Sequence, residues 1–556
     1  MDNTAIIANH LKDKQRSHEV KKRRYSQWNE NYILSRDKVI TNRLTQRQPI
    51  NVPVIRESIQ SWISKIDEAP KLSFSSRGNG NKDKDGEIIL NELWDYDFDR
   101  LKLELVDNLE KKVVGLTGRG FKKWGWANGD IFCDVIDPYD IDIDPTCNVL
   151  DLNSANYVIH KNIFRSLRSI LANPKYDEAA KKELKTFLAT KEGIIATNLT
   201  HEAYLEKKQR LELIGVENYD TEFQAGDIIV ELNEDYKIIW SEAEKRFVRH
   251  VIVIAADKYV LSNKPMKEAL GLSRLPIVSW ASDPDLNDIW SDGIADNVRT
   301  FNKVVNMYIS QDLENRTYRN FGMYFYNTLG GTFSPKTFDP KPFGMYGIPG
   351  KPSEMVEQIR IEPLNDTAQQ ITFLKNLIQA SVSQTSIERG EVQEGDTTLG
   401  EVKLSLQQSQ KKNAVVSKNY RTAWEESGYI WYELRQENMK GTIKLWKKGA
   451  NGVFYSKDVA PSDWKQAQGY EIKVVLRADK EAEDDQTLKK LQYVKQSFEG
   501  NPVAQKIIRR KELELLGWTI EDIDAVMQAE EQPAQTPTMP GQIPGQQVTQ
   551  PQPTQM

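Results

Sequence analysis

The strongest constraint in this 556-residue sequence is residues 294–320, IADNVRTFNKVVNMYISQDLENRTYRN, which run for 27 positions without glycine or proline. Apolar side chains recur at Ile294, Val298, Phe301, Val305, Tyr308, Ile309 and Leu313. Spacings of three and four put them on one face of an amphipathic helix about 40 Å long. Residues 321–363 then hold many glycines and prolines around β-like fragments, MYFYNT, GMYGIP and EQIRIEP. Thr367-Ala-Gln-Gln370 has the form of a capping box, and it opens a second helix with Ile371, Leu374, Leu377, Ile378 and Val382 on one side. The pattern is helix, small β tip, helix. A stalk of two helices cannot cover both of its own apolar stripes, so neighbouring copies are the expected cover and an obligate oligomer follows. Val298, Phe301, Val305, Ile371, Leu374 and Ile378 are the expected packing residues between copies.

A polar segment follows at 386–397, where Glu388, Glu391, Glu394 and Asp396 face a single cation, Arg389. Thr398-Leu-Gly-Glu401 is another capping box. It opens a helix that runs to about Met439, stops at Gly441 and spans roughly 60 Å if straight, with Gly400 and Gly428 as the places to bend. Short β segments (TIKLW, GVFY, YEIKVVL) occupy 442–476, and helices return near 484–499 and 503–516. From 532 the chain is Gln/Pro/Thr/Gly-rich and is expected to be disordered.

Upstream of 294 the chain is mixed. Residues 1 to about 70 read as helical, with Ile55, Ile59, Trp62, Ile63 and Ile66 at helical spacing. The stretch 75–86 reads as a glycine-rich loop, 88–114 as one helix, and 113–143 as short strands and turns. YVIHKNIF is strand-like, two helices are expected over 166–172 and 176–190, and 226–262 alternates as a β meander.

The net charge is −5, which leaves no global basic field to hold nucleic acid. Two cysteines, Cys133 and Cys147, rule out a disulfide scaffold and fit no common zinc spacing. The amino-terminal residues lack the apolar core of a secretory signal, and no apolar run is long enough to span a membrane. Lys21-Lys22-Arg23-Arg24 is expected to be the solvated face of a first helix.

Signals for catalysis fail one by one. Gly115-Leu-Thr-Gly-Arg-Gly120 begins like a phosphate-binding loop, but Phe121 stands where the lysine is needed, so the segment reads as a glycine turn between strands. His201-Glu202 has Leu205 where a metalloprotease helix needs its second histidine, and G-x-S-x-G does not occur. FCDVIDPYDIDIDPTC (132–147) carries Asp134, Asp137, Asp140, Asp142 and Asp144. Counted from Asp140 as a calcium loop, it has Pro145 where glycine is required and Asp151 where glutamate is required. Alternation puts Asp140, Asp142 and Asp144 on one face and Ile141 and Ile143 on the other, so the acidic face is expected in solvent. No catalytic residue, metal or cofactor is expected.

The order of these features resembles tailed-bacteriophage portal proteins, the head-to-tail connectors. The resemblance rests on the hairpin Gly120-Phe-Lys-Lys-Trp-Gly-Trp126, the Asp137-Pro138 and Asp142–Pro145 turns, Tyr157-Val-Ile-His160, and the succession helix, β tip, helix, acidic loop, long helix over about residues 50–525. It implies an α+β portal-like subunit: a wing at 1–293 with a helical amino terminus and a β-rich part, stem helices at 294–320 and 364–385, and a clip at 321–363. A tunnel loop at 386–397, a long tunnel/crown helix at 398–440, a β return to the wing at 441–478, crown helices at 479–531 and a tail at 532–556 complete it. The family assembles into a ring, usually a dodecamer, at one capsid vertex, assembled in the host cytoplasm, through which double-stranded DNA is packaged and ejected. The implied partners are the terminase large subunit, head-completion and tail adaptor proteins, capsid and scaffold proteins, with no membrane. Twelve helices about 10 Å apart enclose a ring about 38 Å across, which leaves roughly 28 Å for a duplex about 20 Å wide. In that arrangement Glu388, Arg389, Glu391, Glu394 and Asp396 line the channel, Arg316, Arg319 and Lys375 are sparse basic contacts to DNA, and Tyr324, Tyr326, Phe343 and Tyr346 form a docking surface on the clip. Two other readings stay open: a virion adaptor with no channel, and a metal-dependent nuclease built on Asp134–Asp144.

Overall fold

The computed structural model describes residues 2–36, 50–66, 71–78, 80–189, 228–242, 244–321, 323–326, 356–359, 361–382, 399–448, 454–466, 468–475 and 502–515, with isolated positions at 212, 488, 490, 491, 493 and 495. The architecture is mixed α+β, in two compact units. The first comprises 1–442 with 460–476, and the second 443–459 with 477–556.

The first unit opens with helices α1 (Asn3–Ser35) and α2 (Val54–Ile63), then strand β1 (Lys71–Ser76). Helix α3 (Asn81–Arg100) starts inside the segment expected to be a loop, because Asp83 Oδ2 accepts from the Gly80 amide at 3.0 Å and closes the first turn. The single helix expected over 88–114 is two: the chain breaks at Lys102, whose φ is 53°, and α4 (Leu103–Thr117) continues. Gly118 ends α4 in the left-handed region at φ 87°, and its amide donates to Val114 O at 2.8 Å. A Cβ on Gly118 would lie 1.9 Å from Ser291 O, so only glycine fits. Gly115–Gly120 is therefore a helix end running into a strand, not a turn between strands.

Strands β2 (Arg119–Ala127) and β3 (Asp130–Ile136) form the expected hairpin. Its turn is Asn128-Gly129, with both φ values positive, which matches the strand twist. Five antiparallel strands follow: β4 (Ile141–Ile143), β5 (Tyr157–Ser166), β6 (Ile229–Ser241), β7 (Arg246–Ala255) and β8 (Tyr259–Pro265), in sheet order β4-β5-β6-β7-β8. Successive side chains point to opposite faces. Val230, Leu232, Val253 and Leu261 pack under α5 (Leu167–Ala172) and α6 (Glu178–Leu188) through Ile170, Leu184 and Leu188. On the other face Ile252, Ile254, Val260 and Ile239 meet Ile6 of α1. After α7 (Met266–Leu270), strand β9 (Ile277–Ala281) pairs with β2, which gives a three-stranded sheet ordered β3-β2-β9.

Helix α8 (Ile294–Phe321) and helix α9 (Thr367–Ser381) are joined through β10 (Met323–Tyr326) and β11 (Val356–Ile359), which pair antiparallel. Helix α10 covers 40 residues, Leu399–Asn438, close to the bounds expected from its capping box and Gly441. In the second unit β12 (Ile443–Lys448) and β13 (Phe454–Val459) form a hairpin, and α11 (Pro502–Leu515) carries Glu512, which pairs with Lys495 at 2.9 Å.

Back in the first unit, β14 (Tyr470–Val475) pairs antiparallel with β1. This ribbon and α10 sandwich an aromatic core in which Trp94 and Trp431 meet edge to face at 5.1 Å, with Phe74 5.2 Å from Trp431. Gly428, expected as a place for the helix to bend, is a point of close approach. A Cβ there would lie 2.6 Å from Leu72 and 2.9 Å from Ile472. Among the described residues no helix is long and apolar enough to cross a membrane.

Candidate functional site

The helix–β–helix arm is rooted by hydrogen bonds that the apolar periodicity does not reveal. Asn302, Asn306 and Ser310 recur every fourth residue on α8 and face the extended segment leading into α2. Asn302 Oδ1 accepts from the Ile55 amide at 3.2 Å, Asn306 Oδ1 from the Val52 amide at 2.9 Å, and Ser310 Oγ from the Ile50 amide at 3.2 Å. These amides have no helical partner, and the ladder satisfies them. Arg299 bonds Asp296 at 2.8 Å, and Lys303 bonds Glu30 at 2.5 Å, which fastens α8 to α1.

Val298 and Val305 are fully buried against this root within a single chain, so these two need no second copy to cover them. Phe301, Ile371 and Leu374 are half-buried and Ile378 is buried. Beyond the root, α8 packs along α9, and Asn315 Nδ2 donates to Glu362 O at 2.9 Å. Two large apolar side chains stand among the polar residues on the exposed side of α9: Phe373 is 58% exposed and Leu377 37%.

Arg316, Arg319 and Lys375 are all exposed on the arm, and Arg316 pairs with Asp312 at 2.8 Å. Tyr324 lies opposite Gln358, and Tyr326 opposite Val356, in the two-stranded tip. Phe343 and Tyr346 lie outside the described residues, as do Glu388, Arg389, Glu391, Glu394 and Asp396.

Asp140, Asp142 and Asp144 do not form a solvated face. Asp142 is completely buried, clamped between Lys21 Nζ at 2.7 Å and Lys161 Nζ at 3.0 Å. Burial alone would raise its pKa, but the two ammonium groups outweigh that and hold Asp142 well below the usual carboxylate range. Lys21 is also buried rather than solvated, and donates to Ile141 O at 2.7 Å and Tyr139 O at 3.1 Å. Of its neighbours, Lys22 is exposed, while Arg24 and Arg23 both reach Asp288, at 2.9 and 2.8 Å. Asp144 accepts from Thr146 Oγ1 and Asn156 Nδ2, both at 2.7 Å, and Asp140 from Asn162 Nδ2 at 2.7 Å. These three aspartates serve different neighbours. Among the described residues no group of three or more His, Cys, Asp or Glu side chains could hold a metal ion.

A cleft of about 470 Å³ opens between the two larger sheets, lined by Lys123, Trp126, Phe132, His160, Glu234 and Tyr236 among others. Lys123 bonds Glu234 at 2.5 Å, and Tyr236 donates to the same carboxylate. Burial and the adjacent Lys123 push the His160 pKa down to about 3, so the imidazole is neutral and weakly basic.

Comparison with known proteins finds no family model that matches the chain and no curated protein similar to it.

Proposed function

We propose that this chain is a portal-type subunit: a ring-forming channel protein of a capsid vertex, through which double-stranded DNA is packaged and ejected. The observation that carries the reading is the succession of α8, a two-stranded β tip, α9 and a 40-residue α10, with apolar side chains left open on α9. Phe373 and Leu377 are large, adjacent on one helical face and partly exposed among the described residues. Copies standing side by side bury such a face and close into a ring. In this reading the arm is the stem and clip, terminase and head-completion or tail proteins dock at the tip, and capsid and scaffold proteins surround the ring. The protein guides DNA and performs no chemistry on it.

The test is the mass of the purified full chain in solution, with particle images. Closed rings of about twelve copies with a hole wider than about 20 Å are expected. A stable single-copy protein, or an assembly with no hole of duplex width, overturns the reading.

A further inference from the structure

A cavity of about 190 Å³ lies between strand β9 and helix α10, walled by Arg119, Val149, Ser279, Trp280, Asn419 and Glu426 among others, with Leu150 at its mouth. Arg119 is only 3% exposed. Its guanidinium donates to Ile289 O at 2.8 Å, Ser279 Oγ at 3.1 Å and Val149 O at 2.8 Å, all of them neutral acceptors. A guanidinium has five N–H donors, so two have no acceptor among the described residues. No carboxylate among the described residues forms an ion pair with it. Asp288 acts on it only through space and is itself bound by Arg23 and Arg24.

A buried cation without a counter-charge is costly, and buried charges are ordinarily paired. Burial has its visible effect here: the Arg119 pKa is pushed down to about 10. On the facing wall the Asn419 amide nitrogen is buried and has no acceptor. Two residues with unanswered donors thus line one space with room for several atoms. Glu426 is the one carboxyl on the wall. It is engaged by the Asn153 amide, and burial raises its pKa.

We propose that this cavity binds a small free oxyanion, such as inorganic phosphate or sulfate, which supplies the missing counter-charge of Arg119 and the missing acceptor of Asn419. The bound ion ties the β2–β9 edge to α10, the longest helix described. The inference is independent of the portal reading, because every group it uses lies in one copy.

The experiment is thermal unfolding of the full chain in millimolar sodium phosphate, compared with sodium chloride at equal ionic strength. Phosphate is expected to raise the midpoint saturably, by at least about 2 °C. Asn419→Asp places a carboxylate at the cavity wall, and is expected to abolish the phosphate response without lowering the midpoint measured in chloride. Glu426→Gln removes the competing negative charge and is expected to tighten apparent phosphate affinity several-fold. A phosphate effect no larger than that of chloride overturns the proposal, and so does a response that both substitutions leave unchanged. Displacement of phosphate by a short DNA duplex overturns the assignment to a free ion.

Discussion

Asp97 of α3 and Arg435 near the end of α10 form a bidentate ion pair, with Nε 2.8 Å from Oδ2 and Nη2 2.6 Å from Oδ1. Both side chains are almost wholly buried, and Trp431 Nε1 donates to the same carboxylate at 2.9 Å. Asp97→Asn leaves a buried guanidinium short of its counter-charge and is expected to cost about 3–5 kcal/mol in denaturant unfolding. The double substitution Asp97→Leu with Arg435→Met removes both charges and should recover part of that loss, the remainder being the acceptor that Trp431 Nε1 and Arg100 Nη2 lose.

Gly118 gives a steric prediction. Its positive φ and the 1.9 Å approach of Ser291 O to a would-be Cβ both exclude alanine. Gly118→Ala is expected to lower stability by at least about 2 kcal/mol, because β2 and the segment leading into α8 must separate. Gly129→Ala, in the β2–β3 turn, meets no atom within 4 Å and should cost less, the strain of its φ of 81° alone.

His10 sets a pH dependence on the seating of α1. Its ring bridges Asp235 at 2.7 Å and Asp257 at 3.0 Å. Burial lowers its pKa, but the two carboxylates more than reverse this and push it up to about 9. A folded pKa above the unfolded value means that the contribution is complete below about pH 6.5 and is lost as pH rises toward 9. Unfolding free energy should therefore fall by roughly 3 kcal/mol across that window, and His10→Gln should flatten the slope. An unchanged slope in the variant would assign the alkaline limb to other groups.

The open face of α9 tests the assembly. Phe373→Asp combined with Leu377→Asp should leave far-ultraviolet dichroism intact, since both side chains are exposed in one copy. Particle mass should drop at least several-fold at micromolar concentration, because a charge at an apolar contact is left unpaired. Retention of full-size rings would place the contact between copies elsewhere.

The long helices are legible in the sequence because their signals are local: an apolar period without glycine or proline marks α8, and a capping box and a terminal glycine bound α10. The aspartate stretch looks solvated in the sequence because its neutralising partners are distant. Lys21 and Lys161 reach Asp142 from α1 and β5, and no local pattern announces them. The break between α3 and α4 was invisible because lysine at position 102 carries no turn signal. At the candidate site, the apolar stripe of α8 has in the sequence the form of one continuous surface. Its first half is core, and the signal that separates the halves is the polar repeat Asn302, Asn306, Ser310, which is visible once the segment 50–55, running into the first turn of α2, is known to lie beside it.

The pairing of β1 with β14 joins Leu72 to Val474. A ribosome delivers the amino-terminal strand long before its mate exists, so Leu72 and Phe74 must wait on an unfinished nascent chain while some four hundred residues are translated. Loop closure over that distance favours local helices first. The ribbon therefore cannot close until that intervening length has emerged, and the delay gives molecular chaperones a defined, apolar target.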